Sequence, residues 1–440
     1  MRKLRIRKLL LTAMLLAIMT FSATLALLWA VSQATTGVPN ETRRQALITT
    51  LANMQQAEKP QEQTYQTMMI LEMLKCLNSL DRINETEAID YLVSQQNTTT
   101  GGFSDDFHIY GELNTPFDVL NTLKTFNSSH MLDESLIDFV MLRHNETDGA
   151  FHEPTFERNG EKIASCGFSM TWHGWGDRDY YGESNVISTF LAVDILRNLN
   201  ALDRINVTRT IAFVLGCRTA NGGFGPFPNP YTSTYGSSLI PWLANSFTVD
   251  SYGAGVAYTY CAVGALNDLG CLSSLTDEER QQTIDYVLSC QHNRTGCFVS
   301  IPEYAADPGS SPEDHDTFFT YYAVMALQYL NAINQTRENV IKAMRWFLTI
   351  QNPDSGLVYE LSPIAGAYYF VMCMNASDSL YLLNELTPRA LQQRTLFLGI
   401  SSALGFTTFT IIVAVPYTVK WAQNRKQKQE TPESQSLETI

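Results

Sequence analysis

The chain has 440 residues, of which 45% are hydrophobic and only 17% charged, enough apolar material for one large core or two ordinary ones. A formal net charge of −14 argues against a nucleic-acid partner, because neutralising phosphates needs a basic face. The acidity reads most simply as a solubility feature.

In chain order, a basic tail over residues 1–8 carries Arg2, Lys3, Arg5, Arg7 and Lys8. It precedes an uncharged run over 9–31, about 23 residues long. That run is long enough to cross a bilayer and longer than the ~7–15-residue core of a signal peptide. Small residues near Ser32 and Ala34 leave cleavage open as an alternative to an uncleaved anchor.

From residue 43 to 386 the chain reads as alternating helices. Ala46–Gln55 is a short amphipathic helix and Thr64–Leu80 a second. Five times thereafter an amphipathic segment runs into a glycine turn with an aromatic or apolar residue behind it. The segments starting at Ile89, Ile137, Ile211, Ile284 and Met344 close on Gly101-Gly102-Phe103, Gly149-Ala150-Phe151, Gly222-Gly223-Phe224, Gly296-Cys297-Phe298 and Gly356-Leu357-Val358. After each turn and a loop of variable length comes a more apolar helix: 113–126, 184–202, 252–269, 317–333 and 367–386. Several carry almost no charge through the middle, and a helix apolar all round must be enclosed on all sides. Amphipathic helices outside and apolar helices inside, with Ala46–Leu80 as an opening pair, make six hairpins. Repeats that bury a face only against neighbours form an open solenoid or a closed ring, and the apolar second helices favour closure.

A second apolar run over 396–417 is followed by a polar tail, 418–440, with Lys420, Arg425, Lys426 and Lys428. Both basic flanks then lie in the cytoplasm, and the domain between the two spans lies outside the cell membrane. The Asn-x-Ser/Thr pattern agrees, because all nine sequons (Asn40, Asn84, Asn97, Asn127, Asn145, Asn206, Asn293, Asn334, Asn375) lie between the spans, as in a glycoprotein. Asn84, Asn206 and Asn334 also suit helix N-caps. Eight cysteines, an even number, fit an oxidising compartment. Cys290 and Cys297 flank one turn and are the best candidates for a disulfide, the alternative being buried thiols.

Repeats ending in Gly-Gly-Phe, each followed by an apolar Tyr/Ala-rich helix, resemble those of protein prenyltransferase β-subunits and squalene cyclases over roughly Arg43–Leu386. The resemblance implies an all-α fold, an α/α toroid of about six hairpins with a central cavity, here flanked by transmembrane helices. Zinc prenyltransferases carry Asp-x-Cys at the start of one inner helix and a His at the next. The matching segments here are Asp316-Thr317-Phe318 and Ala365-Gly366-Ala367-Tyr368, so only the aspartate remains and no metal or other cofactor is implied. Triterpene cyclases use Asp-x-Asp-Asp, which Asp314-His315-Asp316-Thr317 matches in two of its three aspartates. That makes Asp314, His315 and Asp316 the candidate catalytic residues. Carboxylates before an apolar helix also serve simply as its cap.

The longest insertion, 153–183, gathers Trp172, His173, Trp175, Asp177 and Asp179, which suit a sugar ring, a cation or acid–base work. It is equally a lid packing its own aromatics. Tyr252, Tyr258, Tyr322 and Tyr368 on the inner helices join it as candidate ligand-binding residues lining an apolar pocket. The leading expectation is a membrane-anchored toroid that binds an apolar, isoprenoid-like or glycan ligand without zinc-dependent prenyl transfer. The alternatives are an enzyme of the same fold (a proton-initiated cyclase or a carbohydrate-active hydrolase or lyase) and a protein-interaction scaffold.

Overall fold

The computed structural model describes residues 42–57, 64–103, 113–152, 155–158, 161–164, 184–228, 254–306, 316–352, 355–358 and 363–385. The chain divides into residues 44–384 and a second unit of 1–43 with 385–440. Both expected membrane spans, 9–31 and 396–417, lie outside the described residues, and no described helix is long and apolar enough to cross a membrane.

The helices alternate in two roles. The outer set is α1 (Arg43–Ala57), α3 (Glu85–Ser94), α5 (Ser135–Met141), α7 (Val207–Gly216), α9 (Asp277–Ser289) and α12 (Arg337–Ile350). The inner set is α2 (Thr64–Cys76), α4 (Asn114–Thr125), α6 (Val186–Asn198), α8 (Val256–Asp268), α11 (Asp316–Tyr329) and α13 (Pro363–Ala376), with a short α10 (Pro302–Ala306) before α11. Each inner helix packs on the next, and α13 packs back on α2, so the ring closes. Two small antiparallel hairpins complete the described structure: β1 (His144–Asn145) with β2 (Ala150–Phe151), and β3 (Thr155–Arg158) with β4 (Glu161–Ala164).

The ends of the inner helices are written locally. A residue in left-handed conformation follows each one: Asn78, Asn127, Asn200, Gly270, Asn331 and Asp378. Behind each, an amide reaches back to the last turn, as Ser79 N to Leu74 O (2.8 Å) and Ala332 N to Leu327 O (2.8 Å), the Schellman closure that satisfies otherwise orphaned carbonyls. Asn and Gly tolerate that backbone at little cost, so each stop is encoded by one residue.

The glycine turns join one hairpin to the next. Gly101 has φ +80°, and a Cβ there would lie 2.0 Å from the Ser135 carbonyl oxygen at the start of α5. Gly356 (φ +72°) lies against α1 in the same way, its virtual Cβ 2.7 Å from the Leu47 nitrogen. The last turn thus docks on the first outer helix, closing the outer ring as α13 and α2 close the inner. The following aromatics fill the space between the rings, and Phe151, Phe224 and Phe298 are fully buried. Each such phenylalanine contributes about 2–3 kcal/mol of burial. Their amides are held by buried inner-helix threonines, Phe151 N to Thr189 Oγ1 (3.1 Å), Phe224 N to Thr259 Oγ1 (3.1 Å) and Phe298 N to Thr320 Oγ1 (2.9 Å). That contact sets the height of each turn on its inner helix.

The expected Cys290–Cys297 disulfide is absent, and no disulfide occurs among the described residues. Gln291 pairs with Phe298 across the turn, so Cys290 stands opposite Val299, and Cys297 opposite His292. The two cysteines are therefore diagonal, ~7–8 Å apart by strand geometry, beyond the usual ~4.4–6.8 Å Cα separation of a disulfide. Burial pushes the Cys290 thiol up to about 12. Asn84 and Asn206 do cap α3 and α7, accepting from Glu87 N and Arg209 N, whereas α12 begins after Thr336 and Asn334 is not its cap. Of the sequon asparagines, 84, 97, 127, 206, 293, 334 and 375 are exposed, Asn145 is half-buried and Asn40 lies outside the described residues.

Candidate functional site

Four of the inner helices, α2, α4, α11 and α13, turn a partly open stripe toward the middle of the ring. On α11 the partly open positions are Phe318, Tyr321, Met325 and Tyr329, spaced three or four residues apart and so on one helix face. On α13 they include Tyr368, Tyr369 and Met372, on α2 Tyr65 and Met69, and on α4 Phe117, Asp118 and Asn121. These side chains belong to enclosed helices yet keep some surface open, as side chains lining an internal space do.

Aromatic rings run along this interior. Phe117 meets Phe190 edge-on at 5.4 Å, Phe190 meets Tyr260 at 5.2 Å, and Tyr260 stacks on Tyr322 at 5.1 Å and on Tyr329 at 5.9 Å. Tyr321 continues the series to Tyr369 at 5.2 Å and Tyr368 at 6.3 Å. Such offset and edge contacts each add about 0.5–1.5 kcal/mol beyond burial and hold the rings in fixed orientations.

Two carboxyls interrupt the apolar lining. Glu72 on α2 is buried and accepts hydrogen bonds from Tyr368 Oη (2.7 Å) and Thr122 Oγ1 (2.8 Å), from the helices on either side of it. Burial raises its pKa, against the lowering effect of those two hydroxyls. Asp118, one helix on, receives no hydrogen bond from any described residue. It is enclosed on all sides but retains open surface, which places its carboxyl against the internal space. Burial, reinforced by the like charges of Glu72 and Asp194, lifts its pKa from 3.8 to about 8. Across the ring from α4 stands α11, whose Tyr321 and Tyr322 both feel the Asp118 charge, as does Tyr368 of α13. Burial keeps the hydroxyls of all three well above their ordinary pKa, hence neutral.

A separate polar network ties together the C-terminal ends of α4, α6 and α8. Asp194 accepts from Asn121 (2.9 Å), Asn198 (2.9 Å) and Arg197 (3.1 Å). Arg197 also reaches Asp268 at 2.9 Å. Despite that ion pair, burial and the neighbouring Asp194 charge move the Asp268 pKa upward. Arg197 and the asparagines hold Asp194 and one oxygen of Asp268, so the network fastens three helices together, while Asp268 Oδ2 is buried without a hydrogen-bond partner among the described residues.

Of the residues expected from sequence, Tyr322 and Tyr368 stand in the aromatic lining, Tyr368 holding Glu72. Tyr258 is half-buried and two residues before Tyr260, so about 200° round the helix, on the side turned away from it. Asp316 is the first residue of α11. Trp172, His173, Trp175, Asp177, Asp179, Tyr252, Asp314 and His315 lie outside the described residues. Sequence reasoning missed Glu72 and Asp118. The signal was there: each is a lone acid in an apolar stretch, Ile70-Leu71-Glu72-Met73-Leu74 and Phe117-Asp118-Val119-Leu120, and acids are rarely enclosed without a purpose.

A profile of the family described as Prenyltransferase alpha-alpha toroid domain matches residues 16–152, 45–270 and 230–398. No curated protein matches the sequence. Among solved structures, the chain is similar to the Candida albicans protein geranylgeranyltransferase-I complexed with GGPP, at 15% identity over 74% of this chain and 89% of that one, with a TM-score of 0.49. It is also similar to a variant of the type II terpene cyclase MstE from Scytonema in complex with geranylgeranyl dihydroxybenzoate, at 13% identity over 77% and 97%, TM-score 0.48. A third similar structure is a protein from Actinoplanes, at 14% identity over 72% and 89%, TM-score 0.41.

Proposed function

The chain belongs to the prenyltransferase alpha-alpha toroid family, and on that premise we propose that it binds an apolar, isoprenoid-like ligand within its ring of inner helices. The observation that carries this reading is the lining itself. Phe117, Met69, Phe318, Tyr321, Met325 and Tyr369 keep surface open inside an enclosed ring, where open apolar surface is unfavourable unless something covers it. A long hydrocarbon gains about 0.8 kcal/mol per methylene on entering such a space. Zinc-dependent prenyl transfer is not part of the proposal, because the aspartate of Asp316-Thr317-Phe318 lacks the cysteine and the histidine that would complete a metal site.

The sequence supports a toroid held outside the cell membrane by spans at 9–31 and 396–417, with both termini cytoplasmic and the exposed sequons glycosylated. The test of ligand binding is extraction and mass spectrometry of the full-length protein purified in amphipol. A stoichiometric isoprenoid or other long-chain lipid is the expected result. A chain that carries none, and takes up none when offered, overturns the reading. Glycosidase-sensitive mobility and reporter fusions test the topology.

A second reading, proton-initiated chemistry on the bound isoprenoid, is favoured by one feature. Asp118 is protonated at neutral pH and faces an aromatic interior without a protein partner. It predicts that the full-length protein converts an added polyprenyl substrate to a cyclic isomer and that Asp118→Asn abolishes the conversion. No conversion by the wild type rejects it.

A further inference from the structure

Around the C-terminal ends of α6 and α8 the hydrogen-bond donors can be assigned to oxygens one by one, and one oxygen is left over. Arg197 offers Nη2 to Asp194 Oδ1 at 3.1 Å and Nη1 to Asp268 Oδ1 at 2.9 Å. Asn121 from α4 and Asn198 from α6 both donate to Asp194 Oδ2 at 2.9 Å, and Asn267 donates to Asp268 Oδ1 at 3.2 Å. Asp268 Oδ2 receives nothing from the described residues, although its side chain is only 1% exposed and that of Asp194 only 6%. A buried acceptor without a donor is rare, and a buried charge left unpaired is costly. The two carboxyls also meet at one guanidinium, whose adjacent Nη atoms hold one each. Ionised together, they set two negative charges against one positive. The joint beside them is tight. One turn earlier, a Cβ on Gly264 would lie 2.5 Å from the Phe190 ring, and Phe190 packs edge-on against Tyr260.

We propose that Asp194 and Asp268 hold one proton between them, seated on Asp268 Oδ2 and donated to Asp194, so that α6 is fastened to α8 by a bond that exists only while the proton is present. The proton turns the one oxygen without a donor into a donor itself, and it brings two carboxyls and one guanidinium to neutrality. From α6 the pair is faced by Arg197, from α4 by the uncharged Asn121, and from α11 by Tyr329, whose hydroxyl burial keeps neutral. Farther along α4, Asp118 lies one turn before Asn121, and Lys124 donates to Asn198 Oδ1. Of the outer helices packed on α8, α7 carries only Arg209, which donates to the Glu146 carbonyl, and α9 carries Arg280, which donates to the Leu272 carbonyl, beside the acids Asp277, Glu278, Glu279 and Asp285. Burial first, and then the Asp194 charge, keeps the proton on the pair up to about pH 7, against an ordinary value of 3.8. Folding raises the value, so the stabilisation is whole below about pH 4 and gone above about pH 7. Above that pH the proton has left to solvent and two carboxylates share one arginine. The end of the α6–α8 joint therefore loosens as pH rises through neutrality, while the Phe190–Gly264 contact one turn earlier does not respond to pH.

The experiment is amide hydrogen exchange of the full-length protein in detergent at about pH 6 and about pH 8, corrected for the intrinsic rate and read in peptides covering 186–198 and 256–268. Their protection should fall by roughly tenfold between the two pH values, while that of α12 stays constant. Asp118→Asn should show the same fall, because the proton concerned is not the one on Asp118. Asp268→Asn should abolish it, because the new side-chain amide donates to Asp194 at every pH. In thermal unfolding, Asp268→Asn should lie a few degrees above the wild type at about pH 8 and converge on it as pH falls. Equal protection of both peptides at the two pH values in the wild type overturns the inference. So does an Asp268→Asn Tm below the wild type by a constant amount at every pH, the mark of a permanently ionised Asp268 paired with Arg197. A fall that disappears in Asp118→Asn overturns it as well, by assigning the response to Asp118. That comparison with the wild type decides the matter even where Asp268→Asn fails to fold.

Discussion

Replacing Asp118 by asparagine should stabilise the fold, and by an amount that depends on pH. Folding raises the pKa of this carboxyl from 3.8 to about 8. The folded chain therefore holds a proton that the unfolded chain releases between those two values. Stability is intact below about pH 4 and falls as pH rises, reaching its full loss above about pH 8. At about 1.4 kcal/mol per unit, a shift of about four units (8 minus 3.8) costs at most roughly 6 kcal/mol, and about 4 kcal/mol at neutral pH. Asp118 keeps some open surface, so water in the ring reduces the cost to about 2–3 kcal/mol on the alkaline side. Asparagine has nearly the same shape and never ionises. Thermal unfolding of both proteins across about pH 4–9 should give matching Tm values at the acid end and a variant Tm higher by roughly 5 °C at the alkaline end. A Tm difference that stays constant over this range refutes the argument, because a pH-independent change comes from packing and not from ionisation.

Five further substitutions test the framework around that site. Gly356→Ala should cost about 3 kcal/mol, since it forces a left-handed alanine and drives a Cβ to within 2.7 Å of the Leu47 backbone. Gly270→Ala, with nothing within 4 Å of its Cβ, should cost only about 1–2 kcal/mol in the same denaturant titration. Thr259→Val leaves the buried Phe224 amide without its acceptor and should destabilise by about 1–3 kcal/mol, seen as a lower midpoint at an unchanged m-value. Asn206→Ala removes the cap of α7 and should cost about 1 kcal/mol in protein made without glycosylation, whereas Asn334→Ala, at an exposed position that caps nothing, should stay within about 0.5 kcal/mol.

Local signals already carry the hairpin count, the alternation of outer and inner helices and the stops between them. The left-handed residue after each inner helix is Asn, Asp or Gly because those residue types tolerate the conformation, and Gly101 and Gly356 are glycine because a neighbouring helix occupies the space of a side chain. These are properties of a few consecutive residues, so they can be read before any contact is known. Tertiary structure alone decided which face of each inner helix turns inward. Tyr260 meets Phe190 and Tyr322 because α8 packs against α6 and α11, segments far apart in the chain. Cys290 and Cys297 looked like a bridge from their spacing, but the Gln291–Phe298 pairing holds them on a diagonal. The meeting of Glu72, Asp118 and Tyr368 likewise belongs to no stretch of sequence. It exists because six helices close into a ring, and closure brings together side chains whose burial, and therefore whose proton affinity, no single helix determines.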